Sequence, residues 1–199
     1  MSFASGYRGV AGGSVQTAVT DQPGIAVPGM LAFASDLNYC DGLYVGETNG
    51  VAAGKGIAVT DVSDDISYQR PNLSINLPAD AATKAAFAGI VVFMENMQSD
   101  ENGVPGWAKG RIAQVARPGR AGARIYVKAV EAVDHTADSV NWVTVAGTDG
   151  LYEKGEFAPA ALAGTAAAGT SVAIDATVAR WVTSAPAGGV ACIELLATA

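Results

Sequence analysis

The chain has 199 residues, half of them apolar and 16% charged. That length builds one domain, and the apolar share supports a core without metals or disulfides. Twelve Lys and Arg against nineteen Asp and Glu leave a net charge of −7, which argues against a nucleic-acid partner, because phosphate binding needs a basic face.

Residues 1–22 differ from the rest of the chain. Gly6, Gly9, Gly12 and Gly13 punctuate Ser, Thr and Gln, with too few apolar side chains to fold alone. Two readings stand: a disordered terminus, or an extended arm that orders on a neighbouring subunit and sets Phe3, Tyr7 and Val10 into its grooves. The start shows no apolar run behind a positive region, so no signal peptide is expected. No stretch reaches the roughly 18 apolar residues that cross a bilayer, so no membrane partner is expected either. Cys40 and Cys192 accordingly read as reduced, buried thiols of a protein made in a cytoplasm.

Residues 23–199 read as one β-rich body. Gly24–Gly29 and Met30–Ala34 suggest an opening strand, and Gly42–Gly46 and Gly56–Thr60 are short β-type runs between Gly and Asp. Asp61–Asp65 is a polar turn. In Ile66–Leu77 the internal Pro71 demotes the run to an edge strand or loop, because proline cannot donate to a ladder. Pro78–Gly89 is the one helix candidate, with Asp80 as cap, alanines inside and Gly89 as stop. Ile90–Met94 is a buried strand by length and β-branching. Arg111–Val115, Ala123–Val130 and Val140–Val145 are three more strands. In the second of these, Ile125, Val127 and Ala129 alternate with Arg124, Tyr126 and Lys128, the period of a half-buried strand. An Ala/Gly/Thr stretch at 158–170 reads as either a loop or a packed surface. Val172–Val182 and Val190–Leu196 close the chain. Short strands with turn signals every eight to fifteen residues predict an all-β fold, a sandwich or barrel of jelly-roll type, with at most one short helix.

Motifs for chemistry are thin. Gly50–Gly56 resembles a phosphate loop but has three residues between its glycines and no Ser or Thr after Lys55; it reads as a glycine-rich turn. Asp61, Asp64 and Asp65 are clustered, yet a calcium loop spreads its ligands over about twelve residues and ends on glutamate, so a solvated turn is expected and no metal. Asp100–Gly103 has the same standing. His135 is the only imidazole, placed in a polar loop, and no nucleophile elbow is present. No catalytic residue and no cofactor are expected. Trp107, Trp142 and Trp181 are either packing residues or anchors at a subunit interface, where aromatics are favoured.

The order of elements resembles the structural cement (head decoration) proteins of tailed double-stranded DNA bacteriophages. The likeness runs over roughly residues 20–196. It is carried by the glycine-bounded opening Gly24-Ile-Ala-Val-Pro-Gly-Met-Leu-Ala-Phe, by Phe87-Ala-Gly-Ile-Val-Val, by Gly119-Arg-Ala-Gly-Ala-Arg-Ile-Tyr-Val-Lys-Ala, and by Val143-Thr-Val-Ala with the later Gly155-Glu-Phe. It implies a β-sandwich or barrel on the outside of a virion. The implied partners are the major capsid protein, at junctions between capsomers, and further copies of the chain in a homotrimer or dimer. Phe3, Tyr7, Val10, Trp107, Trp142 and Trp181 are the candidate contact residues. Other phage structural roles, a carbohydrate-binding module and a carboxylate-pair hydrolase are the competing readings.

Overall fold

The computed structural model describes residues 26–32, 40–46, 50–63, 72–94, 98–99, 105–119 and 123–196. Fourteen strands lie among them: β1 (Cys40–Val45), β2 (Val51–Ala52), β3 (Gly56–Ser63), β4 (Asn72–Asn76), β5 (Phe87–Val91), β6 (Gln98–Ser99), β7 (Pro105–Trp107), β8 (Ile112–Ala116), β9 (Ala123–Lys128), β10 (Val140–Val145), β11 (Phe157–Ala158), β12 (Thr170–Ile174), β13 (Ala179–Trp181) and β14 (Val190–Leu195). Five of them close a barrel in the order β1-β4-β3-β5-β8, with β8 returning to β1. The β1–β4 pair is parallel and the other barrel pairs are antiparallel. Three further sheets have the orders β11-β10-β12, β13-β14-β9 and β2-β7-β6. A parallel bridge from Ala129 to Phe157 links the end of β9 to β11.

Two apolar cores follow from strand alternation. Leu43, Val45, Ile57, Ile75, Val91, Ala113 and Val115 fill the barrel. Ala58, Phe87, Ile90, Val92 and Ala116 point out of it and pack against Ile125, Val127, Trp142, Phe157, Trp181 and Ile193 of the flanking sheets. Strand β5 shows the consequence: Phe87 and Ile90 serve one core while Ala88 and Val91 serve the other, and all five residues are buried. A strand covered on both faces reads as a continuous apolar run rather than an alternating one, as Phe87–Val91 does. Strand β9 covers one face only and keeps the expected alternation, with Ile125 and Val127 inside. The all-β expectation therefore holds, with a closed barrel and sheets packed across a shared core.

Three local expectations are corrected. Pro78–Gly89 is not a helix: a turn at Asp80–Ala81 leads to a single 3-10 turn, Lys84–Ala86, and β5 begins at Phe87. A two-turn helix would have to meet the nucleation cost from propensity alone, whereas Phe87–Val91 gains ladder bonds with β3 and β8 and two buried faces. Asp80 pairs with Lys154 instead of capping. The segment with Pro71 does not yield an edge strand, because β4 starts at Asn72 and pairs with β1 and β3 on its two sides. Pro71 itself lies outside the described residues. Of the expected opening strand at 24–34, the described residues 26–32 form a turn followed by a chain segment on the free edge of β9: Gly29 N–H donates to the Tyr126 carbonyl (2.7 Å), Tyr126 N–H to the Met30 carbonyl (2.9 Å) and Ala32 N–H to the Arg124 carbonyl (2.8 Å).

Candidate functional site

A groove of about 510 Å³ opens where this edge segment, the β2–β3 turn and the β10–β11 connection meet. Val27, Pro28, Ala52, Ala53, Phe93, Pro105 and Phe157 give it apolar walls. Gly54 turns the chain between β2 and β3 with φ +78°, so the Gly50–Gly56 stretch is the glycine-rich turn expected from its spacing. At one end Glu156, only 5% exposed, lies 3.2 Å from both Lys55 Nζ and Lys128 Nζ. Its other oxygen accepts the Glu153 backbone N–H at 2.9 Å. Glu153, at the rim, takes a second ammonium contact from Lys55 at 2.7 Å. A buried carboxylate flanked by two ammonium groups and a backbone donor is satisfied, so the groove presents an apolar slot with a balanced charged end.

A second charged cluster lies on the sheet β13-β14-β9. Glu194, 8% exposed at its side chain, accepts from Arg124 Nε (3.1 Å) and Arg180 Nε (2.7 Å). These three residues are register neighbours across the sheet. Burial works to raise the Glu194 carboxyl, but the hydrogen bonds and charges of Arg180 and Arg124 outweigh it and hold it below the ordinary carboxylate range.

Catalytic geometry can be tested at the single imidazole. His135 is exposed, and Ser184 Oγ sits 3.1 Å from its Nδ1 while Asp134 Oδ1 sits 3.4 Å from the same nitrogen. A proton relay needs the serine and the carboxylate on opposite ring nitrogens. Asp134 is also committed to Thr136, whose N–H and Oγ1 donate to the same oxygen at 2.8 and 2.7 Å. The three residues thus form a loop-bracing turn. No cluster of three metal-ligating side chains occurs among the described residues. Asp61 lies within β3, which runs on to Ser63, and Asp64, Asp65 and Asp100–Gly103 fall outside the described residues. Cys40 and Cys192 are not joined by a disulfide.

The three tryptophans are placed differently. Trp142 is fully buried, its ring edge-on to Phe87 with centroids 5.3 Å apart. Trp181 is 3% exposed, and its indole N–H donates to the Ser139 carbonyl at 3.0 Å. Both are core residues and offer no face to a partner, which corrects the anchor reading in favour of packing. Trp107 is half-buried at the end of β7, packed on the barrel core. Phe3, Tyr7 and Val10 lie outside the described residues. The groove was not readable from sequence. Glu156 in Gly155-Glu-Phe was a charge inside an apolar context, but its partners come from positions 55, 128 and 153.

The described body is thus a barrel joined to flanking sheets by a shared core, with an apolar groove and no catalytic or metal-binding cluster among the described residues, the frame of a structural protein. The family model of the structural cement protein (E217 gp24/Pam3 gp6) matches residues 15–196, and the chain belongs to this family of phage proteins. Membership makes it a capsid-associated structural protein. A chain in the structure of the capsid of Myoviridae phage XM1 shares the fold, with a TM-score of 0.56 and 15% identity over 92% of this chain and 98% of that one. No curated protein matches it in sequence.

Proposed function

We propose that the protein binds the outer surface of a phage capsid and cements neighbouring capsomers, each copy touching several major capsid subunits. The family match over residues 15–196 carries this reading, and the resemblance of the opening and later hairpins to decoration proteins points the same way. A DNA-filled shell is weakest at its seams. A clamp holding several subunits at once gains from multivalency, since modest contacts must fail together. The barrel, packed through β5 against the flanking sheets, supplies the rigid body. Residues 1–22 supply the reaching element, with Phe3, Tyr7 and Val10 as contacts that order on binding. Residues 23–199 act as one body, and the working unit is a homotrimer or, less commonly in such proteins, a dimer. The chain binds and does not transform a substrate.

Co-sedimentation with empty capsids tests this. The full chain should pellet with them. Tyr7→Ala should weaken attachment about tenfold, as loss of an aromatic contact does, while His135→Ala should leave it unchanged. Full attachment after deletion of residues 1–20 would refute the arm, and failure of the intact chain to pellet would refute cementing.

A further inference from the structure

Residues 1–25 lie outside the described structure, and the chain enters it at Ala26, directly before Val27 and Pro28 in the groove wall. The groove end is electrically balanced, Lys55 and Lys128 against Glu153 and Glu156. The rest of its lining is apolar, and Val27 is 37% exposed there. A charge-balanced slot on an acidic body favours an occupant that is near neutral and brings a few apolar side chains. Residues 1–25 carry Phe3, Tyr7 and Val10, and their charged side chains, Arg8 and Asp21, cancel, so residues 26–199 hold the whole of the −7. Two such bodies repel, whereas the neutral arm of one can approach the neutral slot of another.

Reach permits this. Tyr7 stands 20 residues before Val27, and an extended chain of that length spans up to roughly 65 Å. A body of this size has a radius of gyration of about 16 Å, so the length of the arm is enough to reach a neighbouring body. We propose that the groove between Pro28, Phe93 and Phe157 receives Tyr7 and its neighbours from the arm of a second copy, linking cement subunits to one another. The inference rests on the cement reading, which brings copies side by side on a shell, but it is tested without capsids.

In a Cys40→Ser background, Tyr7→Cys is placed in one population of the full chain and Val27→Cys in a second; native Cys192 is 2% exposed. The two are mixed under mild oxidation. A disulfide needs Cα atoms within about 7 Å, so a bridge reports seating in the groove. Pro105→Cys on the facing wall is the second groove site, should the first variant fold poorly. Thr177→Cys, exposed and outside the groove lining, is the control. Bridges from Tyr7→Cys to either groove site should exceed those to Thr177→Cys by on the order of tenfold, as expected where one thiol is concentrated beside the other. Equal yields overturn the proposal. So does a bridge formed only within single chains of a Tyr7→Cys, Val27→Cys double variant. Pelleting the unsubstituted chain with capsids separates the two claims: attachment of that chain with no bridging by the variants removes the arm–groove contact and leaves cementing intact, and bridging with no attachment of that chain does the reverse.

Discussion

Gly56 has an ordinary extended backbone, yet no larger residue fits there. A Cβ would stand 2.7 Å from Trp142 Nε1 and 2.8 Å from Phe157 Cζ. Both rings are fully buried and cannot swing away. Gly56→Ala should therefore cost about 1–3 kcal/mol, the range for overpacking a filled core, read as a lowered urea midpoint with unchanged slope. Gly89 is different in kind. Its φ is +149°, and a Cβ would lie 2.2 Å from the Ala116 carbonyl oxygen. The sequence offered Gly89 as a helix stop; in the structure it is the point where β5 lies against β8 inside the barrel. The residue type was legible and its role was not, because the role is set by a neighbour 27 positions further along the chain.

At the scale of the element, Glu194 on β14 ties together the three strands of the sheet β13-β14-β9 through Arg180 and Arg124. Its two arginines are 38% and 61% exposed and can turn to water if the carboxylate is lost. Glu194→Gln should accordingly cost about 1–2 kcal/mol near neutral pH, below the loss expected for a fully buried ion pair. The pH dependence has a definite sign. The folded carboxyl lies below its ordinary value of 4.5, so its contribution is complete above that value and is lost as pH falls through the folded one. Urea titrations across pH 3–7 should show wild type and variant separated at neutral pH and converging in acid. A constant gap would contradict the charge-assisted origin. The alternation of Arg124, Tyr126 and Lys128 on β9 announced this outer face from sequence. The pairing with Glu194 came only from register, because a strand's neighbour is not encoded in its own period.

For the whole molecule, function is a matter of what the body joins. A ligand that binds only the intact shell stabilises it by about 2.7 kcal/mol per site at a hundredfold excess over Kd. Capsid disruption temperature should thus rise with added protein and level off at full occupancy, monitored by light scattering. Attachment with no change in that temperature would mean decoration without cementing. The arrangement of cores suits the task. The barrel interior and the inter-sheet core share β5, with Ala88 and Val91 in the first and Phe87 and Ile90 in the second, so the barrel cannot shift against the sheets without disturbing both.

The sequence by itself determined the fold class, most strand positions, the loop setting of His135, the turn at Gly50–Gly56 and the likeness to cement proteins. These are local properties: side-chain period, turn residues and composition act within a few positions of one another. Tertiary structure alone decided that Phe87–Gly89 is strand rather than the end of a helix, that β4 closes a barrel, that Trp142 and Trp181 face inward, and that Lys55, Lys128, Glu153 and Glu156 meet at one groove. Each of those outcomes depends on burial and pairing between distant segments, and a residue's own neighbours in the chain carry no record of which distant partner will cover it.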